Sequence, residues 1–524
     1  MSNKMFCLLG LFLHLLSCWA DTVTTSVAEE PNTKPPSATS ASTAERYPVI
    51  NVKDQCGAVG DGKTNDTVAF QKAADMIQKA GGGTLVIPQA TYLVGAQDHV
   101  EGKVPFYQPQ RVFTVEKLDF LLIDGNGATL RYPDGLRFGS FDPKTGEVYN
   151  PPQMPFYNGE HIAQLIPMFN ITGSRHVTVR NIELDGNSQH ILLGGTWGDV
   201  GRQLGGDGLV LYGNTDVQVS KVKGHHFPRD GIMIGWTGLK ADGPATPHTL
   251  TDCTFDYNGR QALSWVGGRG IKALRCKFNH TGRVLIDGTP LASAPGAGLD
   301  IEAEDSVCRD GYFEDCEFID NFGCGLVADQ GDGGYSRFVR CTFWGTTNWS
   351  AWLLKPALKF SECNFYGSLV YVFGSADAKL ATSFSRCNFE DKPWTNGLAY
   401  RRNSNLYLVE VDSVNQLNVS FDDCSFTANT CRSIWFNAGG GPGYFTNCTF
   451  LHKADKVKSG EFQALLHNTV LKGCRFKEEF PPETAARWYI AAENTRIAEG
   501  APTVVDGPRV HWANPNGAVG AIAP

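Results

Sequence analysis

Through the middle of the chain, short runs recur in which every second residue is large and apolar. Aligned on their first residue they are Asp207-Gly-Leu-Val-Leu-Tyr212, Asp230-Gly-Ile-Met-Ile-Gly235, Gln261-Ala-Leu-Ser-Trp-Val266, Ala297-Gly-Leu-Asp-Ile-Glu302, Cys324-Gly-Leu-Val-Ala-Asp329, Ser350-Ala-Trp-Leu-Leu-Lys355 and Leu369-Val-Tyr-Val-Phe-Gly374. A period of two predicts strands with positions three and five inward and positions four and six facing solvent. A second pattern interleaves with the first. Cys-x-Phe occurs nine times, at Cys253, Cys276, Cys316, Cys341, Cys363, Cys387, Cys424, Cys448 and Cys474, with spacings of 23, 40, 25, 22, 24, 37, 24 and 26 residues. A strand returning once per 22 to 26 residues, with short turns and no helical spacing, predicts the stacked coils of a parallel β-helix. Cys and Phe at i and i+2 share a face, so the cysteines read as a buried ladder of small apolar side chains. Cys308, Cys324 and Cys431 stand outside it and are the better candidates for disulfides.

Nearer the N-terminus, Ile50 to Asp54 predicts a strand, followed by Gly57-Ala-Val-Gly60-Asp61-Gly62-Lys-Thr64-Asn65-Asp66-Thr67. Thr64 or Asn65 is expected to cap an amphipathic helix with Val68, Ala69, Ala73, Met76 and Ile77 on its apolar face. Gly81-Gly82-Gly83 ends it and Thr84 to Pro88 opens the next strand. This strand, G-A-x-G-D-G turn, helix and G-G-G-T-L-V-I-P resemble the pectate-lyase-like superfamily. The resemblance implies an all-β fold, a right-handed parallel β-helix with a short N-terminal capping helix, over residues 47–480. It also implies carbohydrate chemistry: hydrolases, pectate and alginate lyases, and epimerases share the superfamily. The polygalacturonase blocks are absent: Gly224-His225-His226 only echoes G-H-G, Arg269-Gly-Ile-Lys272 is not R-I-K, and Asp422-Asp423 lies far from the other carboxylates. His225 and His226 read as surface residues at a turn.

The outward positions of the aligned coils gather charge. Asp300, Glu302 and Glu304 alternate along one strand; Asp329 is expected beside Glu302, and Lys355 beside Asp329. Strands stack about 4.8 Å apart and i to i+2 spans about 6.6 Å, so four carboxylates and an ammonium share one patch. Facing carboxylates repel unless they hold a proton, a cation or a counter-charge, which is how acid/base pairs are tuned. Glu302 and Asp329 are the expected catalytic pair, supported by Asp300 and Glu304. In a glycoside hydrolase they would serve as acid and base or nucleophile. In a lyase or epimerase the same carboxylates would hold Ca²⁺ and Lys355 or Arg401 would take the α-proton of a uronate. Trp197, Trp236, Trp349 and Trp394 are candidates for sugar stacking. A non-catalytic adhesin or carbohydrate-binding stalk is the reading of another class. Against it, Arg283 to Pro295 interrupts the coils just before the acidic strand, where site-building loops belong.

Composition removes other classes. Lys plus Arg is 46 against 54 Asp plus Glu, a net −8, which argues against nucleic-acid binding. With 42% hydrophobic residues the chain can bury a large core, and 58 glycines suit many turns. Residues 1–20 carry Lys4, an apolar run from Phe6 to Leu16 and a small-residue site at Ala20, as a signal peptide does. Export is therefore expected, to the medium, periplasm or cell surface, and Leu15-Leu16-Ser17-Cys18 also offers a lipidation box at Cys18. Residues 21–46, rich in Ser, Thr and Pro, read as a linker, and 481–524 as a C-terminal cap and tail. No apolar run is long enough to span a membrane. The expected partner is a polysaccharide, bound by a monomer.

Overall fold

The structure is a computed structural model that describes residues 46–345, 349–367, 369–391, 407–413, 417–429, 431–438, 441–453, 464–480, 482–483, 488–500, 503–506 and 510–513. The expected signal peptide, the linker up to residue 45, Cys18, Trp394 and Arg401 lie outside them.

Parallel strands stack coil upon coil. One stack runs from Phe113–Glu116 through Leu209–Tyr212, Asp230–Gly235, Gln261–Trp265, Ala297–Arg309 and Leu326–Gly333 to Val510–Ala513. A larger sheet carries the remaining walls, including the strands that follow each Cys. Inward positions repeat as the alternation predicts: Leu209 pairs with Ile232, Ile232 with Leu263, Leu263 with Leu299 and Leu299 with Leu326. All five are fully buried.

The Cys-x-Phe motif spans a corner. Residues such as Asp252, Arg275, Asp315 and Arg340 adopt positive φ, the chain bends, and the following Cys sits just before the next strand. Its Sγ–H donates to backbone carbonyls, as Cys341 does to Phe313 O at 3.4 Å and Val339 O at 3.5 Å. The nine ladder cysteines are free and buried. Burial pushes the Cys341 thiol well above its ordinary pKa. Beside them the nine phenylalanines stack face on face, from Phe255–Phe278 at 6.0 Å to Phe450–Phe476 at 4.5 Å. A second file, Phe313, Phe338, Phe360, Phe384, Phe421 and Phe445, stacks at 4.7–5.1 Å and meets the first edge-on. Cys308, singled out as a disulfide candidate, is a free thiol that donates to Trp265 O at 3.2 Å; Cys324 and Cys431 are buried too.

The N-terminal helix, Thr67–Ala80, covers the first coils with Ala69, Phe70, Ala73, Ala74 and Ile77. Two details differ from expectation. Asp66 is the N-cap, and its carboxylate accepts the Val59 and Gly60 N–H groups, tying the Gly-rich turn to the helix start. Val68 faces solvent, because Thr67 rather than Val68 turns inward, held by Asn65 Oδ1. Gly81 closes the helix at φ 73°, a conformation L-residues rarely adopt. At the other end, pairing continues past Pro481: Ala464 pairs with Ile490, and Trp488 with Val510. The coils outlast the Cys-x-Phe repeat because Trp488 and Ile490 fill the inward sites.

Two outcomes test the ladder. Thiol titration of the folded protein should find few reactive groups, with about twelve more appearing on denaturation without reductant, the nine of the ladder and Cys308, Cys324 and Cys431; no increase would mean the coils are held by disulfides. Cys341→Asp places an unpaired charge in the stacked core and should lower unfolding free energy by about 4 kcal/mol or more in denaturant melts.

Candidate functional site

The outward face of the Ala297–Arg309 strand is where register and charge conflict. Ser264 pairs with Asp300, and Asp300 with Val327, so Asp300 does occupy an outward position. It is nevertheless buried at 2% exposure, not in solvent as expected. Gln261, one coil earlier, reaches across and donates from Nε2 to Asp300 Oδ2. Immediately after Ile301 the register shifts: Glu302 pairs with Gln330, and Val307 with Asp332. Asp329 is therefore not directly opposite Glu302. A bulge offsets two carboxylates that strict register would set face to face, where like charges destabilise a sheet. Glu302 and Asp329 are both half-buried, and Glu304 is exposed.

Lys355 is displaced as well. Leu326 pairs with Ala351 and Ala328 with Leu353, so Leu354 falls in line with Asp329 and Lys355 one residue beyond. The alignment that began this coil at Ser350 was one residue out, since Ala351 and Leu353, not Trp352, point inward. The ammonium still acts on the patch. Burial raises the Asp329 carboxyl and Lys355 opposes that rise, while burial lowers Lys355 and Asp329 and Asp332 oppose it.

Five further residues complete the site and went unrecognised in the sequence. Asp207, Asp230 and Gln261 stand in one column at the start of consecutive strands, all buried. Arg229 and Arg260 precede two of them. Arg229 lies 3.5 Å from Asp207 and 3.6 Å from Asp230, and Arg260 Nε lies 3.4 Å from Asp230 Oδ1. Asp230 N–H donates to Asp207 Oδ1 at 3.2 Å. The readable signal was the Arg-Asp and Arg-Gln pair at position one of adjacent coils, where later coils carry Ala297 and Cys324.

Protonation follows from this packing. Burial lifts Asp207 to about 6, opposed by Arg229 and aided by Asp230. Asp300 is pushed well above the carboxylate range by burial and then by Glu302, with Arg260 pulling the other way. Glu302 is raised by burial, against Arg260, and accepts a hydrogen bond from Asp300. Asp300 and Glu302 are thus a pair that shares a proton, and their titration belongs to both.

Aromatic rings flank the patch on the later coils. Trp349 and Trp352 lie 4.7 Å apart and Trp352 and Tyr371 4.5 Å, with the tryptophans packed against Ala297, Cys324 and Val327. Trp236 is half-buried in the loop after Asp230–Gly235; its backbone lies so close to Gly267 that a Cβ there would fall 2.4 Å from Trp236 O. Trp197 packs edge-on against Tyr157 at 5.6 Å, in a different part of the chain. The insertion before the acidic strand forms a hairpin, Leu285–Ile286 with Thr289–Pro290, and beyond it Ser293 Oγ accepts the Arg202 N–H at 2.8 Å.

Residues 168–365, which contain this patch, match the family model described as right handed beta helix region. The fold is a right-handed parallel β-helix. Among curated proteins, alginate lyase 7 of Azotobacter vinelandii is 56% identical over 48 residues, 9% of this chain and 6% of that protein. Mannuronan C5-epimerase AlgE3 of the same organism is 47% identical over 54 residues, 10% of this chain and 3% of its own length. The chain therefore matches only a small part of these relatives. Among solved structures, the A-module of the Azotobacter vinelandii mannuronan C-5 epimerase AlgE4 is 13% identical at TM-score 0.41, covering 90% of this chain and 100% of that one. A tailspike protein mutant of E. coli bacteriophage HK620, in complex with pentasaccharide, is 11% identical at TM-score 0.42, covering 90% and 81%.

The β-helix should carry the mark of Asp300 in its pH–stability curve. An acid whose folded pKa is raised binds a proton that the unfolded chain, with a value near 3.9, has released, so stability falls as pH rises through that window. Asp300→Asn should flatten the fall that sets in as pH rises past the unfolded value of about 3.9 and melt at the wild-type temperature or higher at the alkaline end. Parallel melting curves for the two proteins would show that Asp300 is ionised in the fold.

Proposed function

We propose that this β-helix is a polysaccharide-degrading enzyme, a glycoside hydrolase whose acid and base are Glu302 and Asp329. The observation that carries the reading is the bulged, half-buried carboxylate pair on adjacent coils, backed by the proton-sharing Asp300. Glu302 delivers the proton to the leaving glycosidic oxygen as the anomeric C–O bond breaks. Asp329, whose charged form Lys355 favours, takes a proton from the water whose oxygen bonds the anomeric carbon. Asp300 touches no substrate; it is a positioning residue whose proton, donated in its hydrogen bond to Glu302, passes to Glu302 as Glu302 serves as the acid. Arg229 and Arg260 limit repulsion among the carboxylates. Trp352 and Tyr371 offer a stacking surface for a sugar ring beside the pair. The short stretches shared with an alginate lyase and a mannuronan epimerase favour a uronate-containing polymer. The expected leader, Met1 to Ala20, puts this chemistry outside the cytoplasm.

The competing reading is Ca²⁺-dependent elimination or epimerisation, with Glu302, Glu304 and Asp329 as oxygen ligands. A Ca²⁺ site needs six to eight oxygens gathered around one point. Among the described residues, the group of three whose ligand atoms lie within 4.8 Å of one another is Asp185, His225 and His226, not the patch carboxylates. That geometry favours hydrolysis.

Incubation with a polysaccharide panel separates the readings. Hydrolysis releases reducing ends without ultraviolet absorbance; unsaturated product that disappears with chelator and returns with Ca²⁺ would establish the lyase. On the substrate so found, Glu302→Gln and Asp329→Asn should each lower turnover about 10²-fold or more. Full activity in both variants would move the site elsewhere along the solenoid.

A further inference from the structure

A second cluster lies on the other wall, at the far side of the Phe227–Arg229 turn. The strands Arg175–Asp185 and Thr215–His225 pair in register, with Glu183 opposite Lys223 and Asp185 opposite His225. His225 Nε2 lies 3.0 Å from Glu183 Oε1, and Thr129 Oγ1 donates to Glu183 Oε2 at 3.0 Å. Glu183 can only accept there as a carboxylate, so His225 carries its proton on Nε2 and presents a bare lone pair at Nδ1. That Nδ1 accepts from His226 Nδ1–H at 2.8 Å, a proton that a bound metal would displace, and lies 3.6 Å from Asp185 Oδ1. His226 is fixed in turn: its backbone sits at φ 56°, and its ring stacks on Tyr257 at 5.2 Å, which stacks on His280 at 4.6 Å. Asp185 Oδ1 is oriented by the Asn187 N–H at 2.8 Å, while Arg131 faces the other oxygen, Oδ2, at 3.5 Å.

We propose that Asp185, His225 and His226 bind a divalent transition-metal ion such as Zn²⁺. Two imidazole nitrogens 2.8 Å apart suit neighbouring positions on one ion, since metal–nitrogen bonds of about 2.0–2.1 Å then subtend roughly a right angle. Imidazole with one carboxylate selects zinc-like cations over Ca²⁺, and Glu183 behind His225 supplies the carboxylate–histidine arrangement that orients such ligands. Three protein ligands leave a position for water or another donor. The ion ties the end of the Thr215–His225 strand to its neighbour, directly before the turn that carries Arg229 and Asp230 into the carboxylate patch.

The test uses the full chain, stripped with chelator and titrated with Zn²⁺ by calorimetry and equilibrium dialysis. One equivalent should bind. His226→Gln and Asp185→Asn should abolish that binding, Glu183→Gln should weaken it about 10- to 100-fold, and Glu302→Gln should leave it unchanged. Co²⁺ bound in place of Zn²⁺ should show ligand-field bands without a sulfur charge-transfer band, which distinguishes this site from the ladder thiols. Circular dichroism melts confirm that the variants fold, and Glu183→Gln, at a half-exposed position, reports on the site independently. No stoichiometric Zn²⁺ uptake by the wild type, or uptake that these substitutions leave unchanged, would overturn the proposal.

Discussion

Everything in this molecule depends on parallel strands stacking in register, one coil about 4.8 Å above the next. In that geometry a residue's nearest neighbours are the residues at the same position one coil away. A position that is favourable once is favourable many times, which is why phenylalanine above phenylalanine and cysteine above cysteine build a continuous core. The same rule penalises repeated charge, because equal charges in one column stand within a few ångström of each other. Inward columns can be uniform; outward columns have to be mixed.

The carboxylate patch is the place where that rule is broken and compensated. The bulge after Ile301 moves Glu302 out of line with Asp329. Arg229 and Arg260 are set among Asp207, Asp230 and Asp300, and Gln261 donates to the buried Asp300. What remains uncompensated is expressed as protonation: burial and mutual repulsion hold a proton between Asp300 and Glu302. A solvated charged face needs none of these devices. Their concentration on five consecutive coils, inside a wall that is otherwise apolar or small at the same height, is the physical argument for chemistry there.

Much of this was legible in the sequence, and the failures have definite causes. Alternation and the recurring Cys-x-Phe reveal the solenoid because burial repeats at a fixed period. The Gly-rich turn and helix are legible because tight turns demand particular residues. Alternation also places Asp300 outward, but periodicity cannot say that Gln261 and its neighbours cover it. A bulge leaves no trace in a two-residue period, so Asp329 was set one position wrong against Glu302. Ser350 is small enough to pass for either face, and that single residue displaced Lys355. Arg229, Asp230 and Arg260 were overlooked because they precede the apolar alternation, at the corner where the chain turns between walls. The histidine cluster was missed for the same reason: its ligands come from two strands and a turn 40 residues apart, and only stacking unites Asp185 with His225.

The central claim is that one proton is trapped between Asp300 and Glu302 at neutral pH. Infrared difference spectroscopy of the carboxylic-acid carbonyl stretch tests it most directly, because ionised carboxylates do not absorb there. The wild-type protein at neutral pH should show a protonated-acid band that is lost in Asp300→Asn. Absence of that band in the wild type, or its persistence in the variant, would contradict the account.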